Sequence, residues 1–169
     1  MKNIFYKTVI DTDLARLYCL YTLDDTIVFL GSQKDKLESI LAALGNITGP
    51  ISVRERENLL AEKEIKRYLD RKTKSIKLKP LILIGSDFAK KVWSNTRKIK
   101  YGSTSTYGDI ANLSGSPRAY RAVGSALSKN PVFLIVPCHR VIKSDGDIGG
   151  FASGRKMKAR LLRLESIIP

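Results

Sequence analysis

The stretch TYGDIANLSGSPRAYRAVGSALS, from Thr106 to Ser128, holds two helix starts separated by a turn. Thr106 with Asp109 three residues later has the spacing of a capping box, with Asp in place of the usual Glu or Gln. A short helix should run from there through Ile110, Ala111 and Leu113, and Ser114-Gly115 should turn the chain. Ser116 can cap a second helix with Pro117 at its first position, where a missing N–H costs nothing. That helix should reach about Ser128. Two short helices joined by a Gly-containing turn form a helix-turn-helix pattern. At about 100° per residue, Ala119, Val123 and Leu127 share one face with Tyr120 beside them, on the inward side. Arg118, Arg121, Ala122, Ser125 and Lys129 lie opposite. Small residues let such a helix lie close to a nucleic-acid groove while arginines reach phosphates or bases.

Just downstream comes VFLIVPCHRV, Val132 to Val141. The apolar run Val132–Val136 predicts a buried strand, and Cys138 follows its end. A thiol is mostly protonated near neutrality, so a nucleophilic cysteine needs a base. His139 is the one histidine in the chain. Neighbours on a strand point to opposite faces, so contact between Cys138 and His139 requires a turn or a bridging water. Taken alone, the pair also suits a buried cysteine beside a core histidine, or a Cys-His hydrolase. The helix pair alone also suits a transcription factor.

Upstream, Ile4–Ile10, Leu14–Leu23 and Thr26–Leu30 read as strands rich in Ile, Val, Tyr and Phe, with Asp24-Asp25 as a hairpin turn. Lys34–Leu44 reads as a helix with Leu37, Ile40, Leu41 and Leu44 on one face and Gly45 as its stop. Gly49-Pro50 punctuates the chain. Arg54–Asp70 reads as a polar helix with Leu59, Leu60, Ile65 and Leu69 as apolar contacts, and Arg71–Lys79 as a charged linker. A second unit should open near Leu81. Its first helix, capped by Ser86 or Asp87, carries Phe88, Val92, Trp93 and Ile99, and Gly102 ends it.

The formal net charge of +14 is uneven: Ser86 to Pro169 hold 15 Lys/Arg against 5 Asp/Glu. That half is a candidate polyanion-binding unit. Two cysteines, Cys19 and Cys138, make no disulfide framework. With one histidine they cannot supply the four ligands of a structural zinc site. Cys19, in a predicted strand with no neighbouring base, reads as core. There is no apolar run long enough for a transmembrane helix. The charged N-terminal residues do not read as a signal peptide, so an intracellular, cytoplasmic protein is expected. A single glutamine, Gln33, among many Lys, Arg and Ile leans toward a hot-growing source.

Taken together, Asn130-Pro131, Pro137-Cys138-His139-Arg140-Val141, Gly149-Gly150-Phe151, Leu161-Leu162 and Glu165 resemble the O6-alkylguanine-DNA alkyltransferase family. Phe88, Val92-Trp93, Gly102, Thr106-Tyr107, Ile110-Ala111 and Arg121-Ala122-Val123-Gly124 extend the resemblance over about Leu81 to Ile167. It implies an α+β chain. A small ribonuclease H-like strand-and-helix domain would span residues 1–80, in a supporting role. A mainly helical domain with the helix-turn-helix would span residues 81–169.

The resemblance also implies roles. Cys138 would accept the alkyl group, His139 would act through a water as its base, and Glu165 would hold the far side of the imidazole. Tyr107 would help protonate the departing guanine. Asn130 would brace the turn between the helices and the active site. Arg121 would fill the gap left by a flipped nucleotide, with Thr106, Arg118, Ala122 and Ser125 completing a face for the minor groove. Pro137, Val141, Phe151, Ala152 and Ser153 would shape the substrate pocket, and backbone groups of Cys138 and Val141 would read the guanine edge. The expected partner is duplex DNA carrying O6-alkylguanine, or O4-alkylthymine, bound by a monomer with no cofactor, metal or membrane. Four positions depart from the family pattern. Ala152 stands where a serine hydroxyl is expected, Phe151 where Tyr is frequent, Ala89 where Gln follows Phe88, and Tyr120 where a small residue is usual.

Overall fold

β-Branched and aromatic residues near the N-terminus form the strands their pattern predicts. β1 (Asn3–Asp11), β2 (Arg16–Tyr21) and β3 (Ile27–Gly31) make an antiparallel meander. β4 (Ile51–Glu55) joins the other side of β1 in parallel, giving the order β3-β2-β1-β4. The structure, a computed structural model, describes residues 3–169. Before β4 comes helix α1 (Lys34–Thr48), which lays Leu37, Ile40 and Leu44 on Phe5, Leu20, Val28 and Phe29. Each such side chain contributes roughly 1.5–3 kcal/mol by leaving water.

Two sequence readings change here. α1 continues past Gly45 to Thr48, because Gly45 keeps helical geometry and the stop falls on Gly49 at φ 79. The polar helix does not begin at Arg54. Ile51 and Val53 alternate with Ser52 and Arg54 as a strand, and α2 (Leu59–Leu69) starts where Asn58 accepts the Ala61 N–H at 2.8 Å. That start puts Ala61, Ile65 and Tyr68 inward and leaves Leu59 and Leu60 exposed.

The chain forms two compact units, one of residues up to Ile84 with Pro131–Phe133, the other of Gly85–Asn130 with Leu134–Pro169. In the first, β3 is buried along its whole length although it ends the sheet. Its free edge is covered on both sides of the strand's length. Ile27 exchanges backbone bonds with Lys79 and Leu81, and Leu30 with Pro131 and Phe133. An edge so paired offers no template for another chain. The stretch read as a linker thus ends in chain that packs on the sheet, with Leu78 buried and Leu83 and Ile84 against the α1 cluster. Cys19 in β2 is fully buried, as core, and burial pushes its thiol up to about 12.

The second unit is mainly helical. Ser86 caps α3 (Asp87–Arg97). This helix ends at Lys98, before Ile99 and Gly102, which lie in the turns that follow. A two-residue strand, β5 (Ser105–Thr106), pairs with β6 (Val141–Ile142). α4 (Tyr107–Leu113) opens on the predicted capping box, with both reciprocal bonds between Thr106 and Asp109 present. α5 (Tyr120–Ser128) starts later than Pro117, because Ser116, Pro117 and Arg118 form a separate turn closed by the Ala119 N–H on the Ser116 carbonyl. Trp93 Nε1 donates to the Ala126 carbonyl at 2.9 Å and ties α3 to α5. α6 (Arg155–Leu164) closes the chain. Among the described residues, no helix is long and apolar enough to cross a membrane.

Candidate active site

The apolar run Val132–Val136 is buried throughout but is not a strand. Val132 and Phe133 end their pairing at Leu30, and Leu134 then sits at φ 68. For a residue with a Cβ, this left-handed conformation costs about 1 kcal/mol or more. Pro137 follows at φ −80 and ψ 65, the centre of an inverse γ-turn closed by the Cys138 N–H on the Val136 carbonyl at 2.8 Å. Proline's ring already favours that φ. The chain then winds through one 3-10 turn, Cys138–Arg140. A turn thus replaces the strand geometry at Cys138 and His139, and all three side chains of the turn are buried.

Cys138 is held by Asn130, while His139 and Arg140 share one carboxylate, that of Glu165. Asn130, just after α5, donates from Nδ2 to the Cys138 Sγ at 3.2 Å and to the Val136 carbonyl at 2.9 Å. The sulfur is thus fixed relative to the turn that presents it. His139 Nε2 lies 2.7 Å from Glu165 Oε1, with both side chains fully buried. Arg140 forks onto the same carboxylate through Nε and Nη2, at 2.9–3.1 Å, and gives Nη1 to the Ile99 carbonyl at 2.6 Å. The Gly102 N–H completes the set on Oε2 at 3.0 Å. Hydrogen bonds from donors of this kind favour the charged form of a carboxylate, against the cost of its burial.

Burial sets the histidine's charge state. It holds His139 below its ordinary value, outweighing the pull of Glu165, with Arg140 and Lys158 adding a smaller push in the same direction. A neutral imidazole that gives its Nε2 hydrogen to Glu165 keeps the Nδ1 lone pair as an acceptor. Nδ1 is buried and makes no hydrogen bond among the described residues. That nitrogen is the one free to take a proton.

Beside the sulfur lies a cavity of about 780 Å³, lined among others by Tyr107, Tyr120, Arg121, Cys138, Gly149, Phe151 and Ala152. The Tyr107 hydroxyl is pushed up by burial first and by its proximity to Cys138, so it stays protonated. Of the residues assigned to the pocket, Phe151 and Ala152 line it. Pro137, Val141 and Ser153 are not among its lining residues: Pro137 and Val141 are buried, and the lining of that loop ends at Ala152. Of the residues assigned to the DNA face, Arg118, Arg121, Ala122 and Ser125 are exposed together. Thr106 instead spends its hydroxyl as the cap of α4. Tyr120 is 53% exposed, not inward. It is the first residue of α5, so no earlier helical turn covers it. Its ring lies at the cavity rim with the Arg121 guanidinium 5.9 Å from the centroid.

Two site residues escape the sequence reading. Arg140 lies within the Pro-Cys-His-Arg string, but nothing in the pattern shows that its side chain turns inward to Glu165. Lys158 has no exposed surface and donates to the Val141 carbonyl at 2.6 Å and the Gly150 carbonyl at 3.3 Å, with Nζ 5.7 Å from the Tyr107 ring centroid. Burial lowers it to about 8, while negative charge on Cys138 favours its ammonium form. A signal existed: Lys158 shares a helical face with Leu161, Leu162 and Glu165.

Residues 87–167 match the family described as 6-O-methylguanine DNA methyltransferase, DNA binding domain. A methylated-DNA–protein-cysteine methyltransferase of Bacillus subtilis, an inducible one, is 40% identical over 141 residues, covering 82% of this chain and 78% of its own. The chain belongs to the methylated-DNA–protein-cysteine methyltransferase family. A Methanosarcina barkeri member is 50% identical over 105 residues, covering 62% of this chain and 66% of its own. The crystal structure of Mycobacterium tuberculosis OGT in complex with DNA superimposes with a TM-score of 0.79 at 28% identity, covering 98% of this chain and 95% of that one.

Proposed function

We propose that this protein repairs duplex DNA by moving an alkyl group from the O6 of guanine to Cys138, once per molecule. The observation that carries the reading is the buried set Asn130–Cys138 and His139–Glu165–Arg140 at a cavity lined by Arg121 of α5, with Arg118 exposed just before that helix. The thiol proton passes through a water to His139 Nδ1, and Glu165 steadies the imidazolium that forms. The thiolate attacks the alkyl carbon, the carbon–oxygen bond breaks, and the electron pair leaves with the guanine. Tyr107 gives that base a proton and regains one, through water, from the imidazolium. In sum the thiol's hydrogen ends on guanine and the alkyl group on sulfur. A thioether has no easy hydrolytic return, so one molecule acts once. O4-alkylthymine presents the same carbon–oxygen bond and is a second substrate.

A base inside the stack cannot reach a sulfur in a cavity, so the nucleotide is flipped outward. α4 and α5 act as a helix-turn-helix, with α5 in the minor groove, Arg121 in the vacated gap and Arg118 on phosphate. The sheet order β3-β2-β1-β4 supports a ribonuclease H-like first domain of residues 1–80, which serves residues 81–169 as support. The test is intact mass after incubation with excess duplex carrying O6-methylguanine. A gain of one methyl per chain supports the reading. Unmodified protein, or many bases repaired per chain, overturns it.

A further inference from the structure

Much of the cavity's lining, including Lys143, Ser144, Asp145, Gly149, Gly150, Phe151 and Ala152, comes from one loop between β6 and α6. Gly146, Gly149 and Gly154 all sit at positive φ there. Glycine-rich chain of this kind has little stiffness of its own. Its shape is imposed by Asp147. Oδ1 accepts the Gly149 N–H at 2.8 Å and Arg155 Nη1 at 3.0 Å, with Lys143 Nζ at 3.2 Å, while Oδ2 takes Arg155 Nη2 at 2.6 Å. The main chain closes around it, with the Lys143 N–H on the Asp147 carbonyl and the Asp147 N–H on Asp145 Oδ1, both at 2.9 Å.

Gly149 is where this loop meets the chemistry. A Cβ added there would stand 3.2 Å from the Tyr107 hydroxyl, so the backbone already packs against that oxygen. α6 therefore grips two consecutive residues of the wall. Arg155 holds Gly149 through Asp147, and Lys158 holds the Gly150 carbonyl. The Arg155 hydrogen bonds keep the Asp147 carboxyl well below the usual carboxylate range, so the grip is ionised throughout ordinary pH.

Resting on the alkyl-transfer reading, we propose that the Asp147–Arg155 pair is a positioning device that sets which alkyl groups the cavity accepts, by pinning the Gly149 wall against Tyr107. With the wall pinned, a methyl group is held close to sulfur. With it loose, methyl loses its seat and a bulkier group gains room. Asp147→Asn keeps an acceptor for Gly149 but removes the charge, and Arg155→Ala removes the fork.

Transfer rates from two duplexes, one with O6-methylguanine and one with O6-benzylguanine, test this, because DNA binding is common to both. The benzyl-to-methyl rate ratio should rise about fivefold in each variant, the scale of a bidentate surface pair. The double variant should show no more than either single, and Arg155→Lys should restore part. Hydrogen exchange in residues 143–154 should quicken in Asp147→Asn while α3 stays protected. A ratio unchanged in both variants, or equal loss of both rates with a lower Tm, overturns the proposal. Wild-type protein that transfers neither group would instead sink the alkyl-transfer reading beneath it.

Discussion

Glu165 and His139 meet at 2.7 Å with neither side chain reaching solvent, and the same carboxylate carries the Arg140 fork. One acid therefore makes two contacts, orienting the buried imidazole and facing a buried guanidinium.

The two contacts separate by experiment. Glu165→Gln should cost about 3 kcal/mol or more in urea denaturation, because it strips a buried Arg140 of its counter-charge. His139→Phe leaves Arg140 paired and should cost less. Both should slow transfer roughly 10²-fold or more, the usual scale of a lost acid–base group, and together less than additively. Wild-type rates in His139→Phe would show that the thiol finds another base.

The charge state of His139 fixes a pH profile. An ordinary histidine would be half protonated, and so half lost as a base, at about pH 6.5. Here burial lowers the value, so transfer should hold through pH 6.5 and decline only below it. Stability follows the same sign. The unfolded chain takes up the proton first, so the contribution of a neutral buried His139 is whole above about pH 6.5 and is lost as pH falls toward its folded value. Stopped-flow rates and melting curves over that range check both.

Lys158 should matter through charge. Lys158→Met keeps the stem and removes the ammonium, and should slow transfer roughly tenfold at neutral pH, the worth of a nearby opposite charge to a thiolate. The native ammonium is itself lost above about pH 8, so the gap between the two proteins should narrow there. A gap that stays constant with pH would make Lys158 a packing residue alone.

Arg121 and Tyr120 make a pair of contrasting expectations at the cavity rim. Arg121→Ala should impair repair of duplex DNA far more than reaction with free O6-benzylguanine, which needs no flipping. Arg121→Lys should recover part, since lysine lacks the planar fork. Tyr120→Ala should weaken duplex repair less than Arg121→Ala and leave its salt dependence unchanged, because a neutral ring releases no counterions. Equal loss on both substrates in Arg121→Ala would make Arg121 structural.

Much of this was legible in the residues. The capping box at Thr106 and Asp109 specifies a local geometry with its own side chains, so the start of α4 lies where the sequence puts it. The shared exposure of Arg121, Ala122 and Ser125 on α5 follows from helical period alone. What misled was context. Val132–Val136 is apolar because it is buried, and burial alone does not distinguish a strand from a turn held by Leu134 and Pro137. Tyr120 sits beside the inward face by helical period, but as the first residue of α5 it has no preceding turn over it and stays exposed. Ile51–Glu55 was short enough for the neighbouring charges to hide its alternation. Cys138, His139, Asn130 and Glu165 could be named from the family string, but the Arg140 fork and the Lys158 contacts join elements distant in sequence and needed the fold.

The central claim is that one sulfur receives the alkyl group. Wild-type, Cys138→Ser and Cys19→Ser proteins should each be incubated with duplex bearing labelled O6-methylguanine, and the label mapped by peptide mass spectrometry. The account predicts label on the Cys138 peptide in the wild-type and Cys19→Ser proteins, and none in Cys138→Ser, which should still bind the duplex. Label on Cys19, or label persisting in Cys138→Ser, would contradict it.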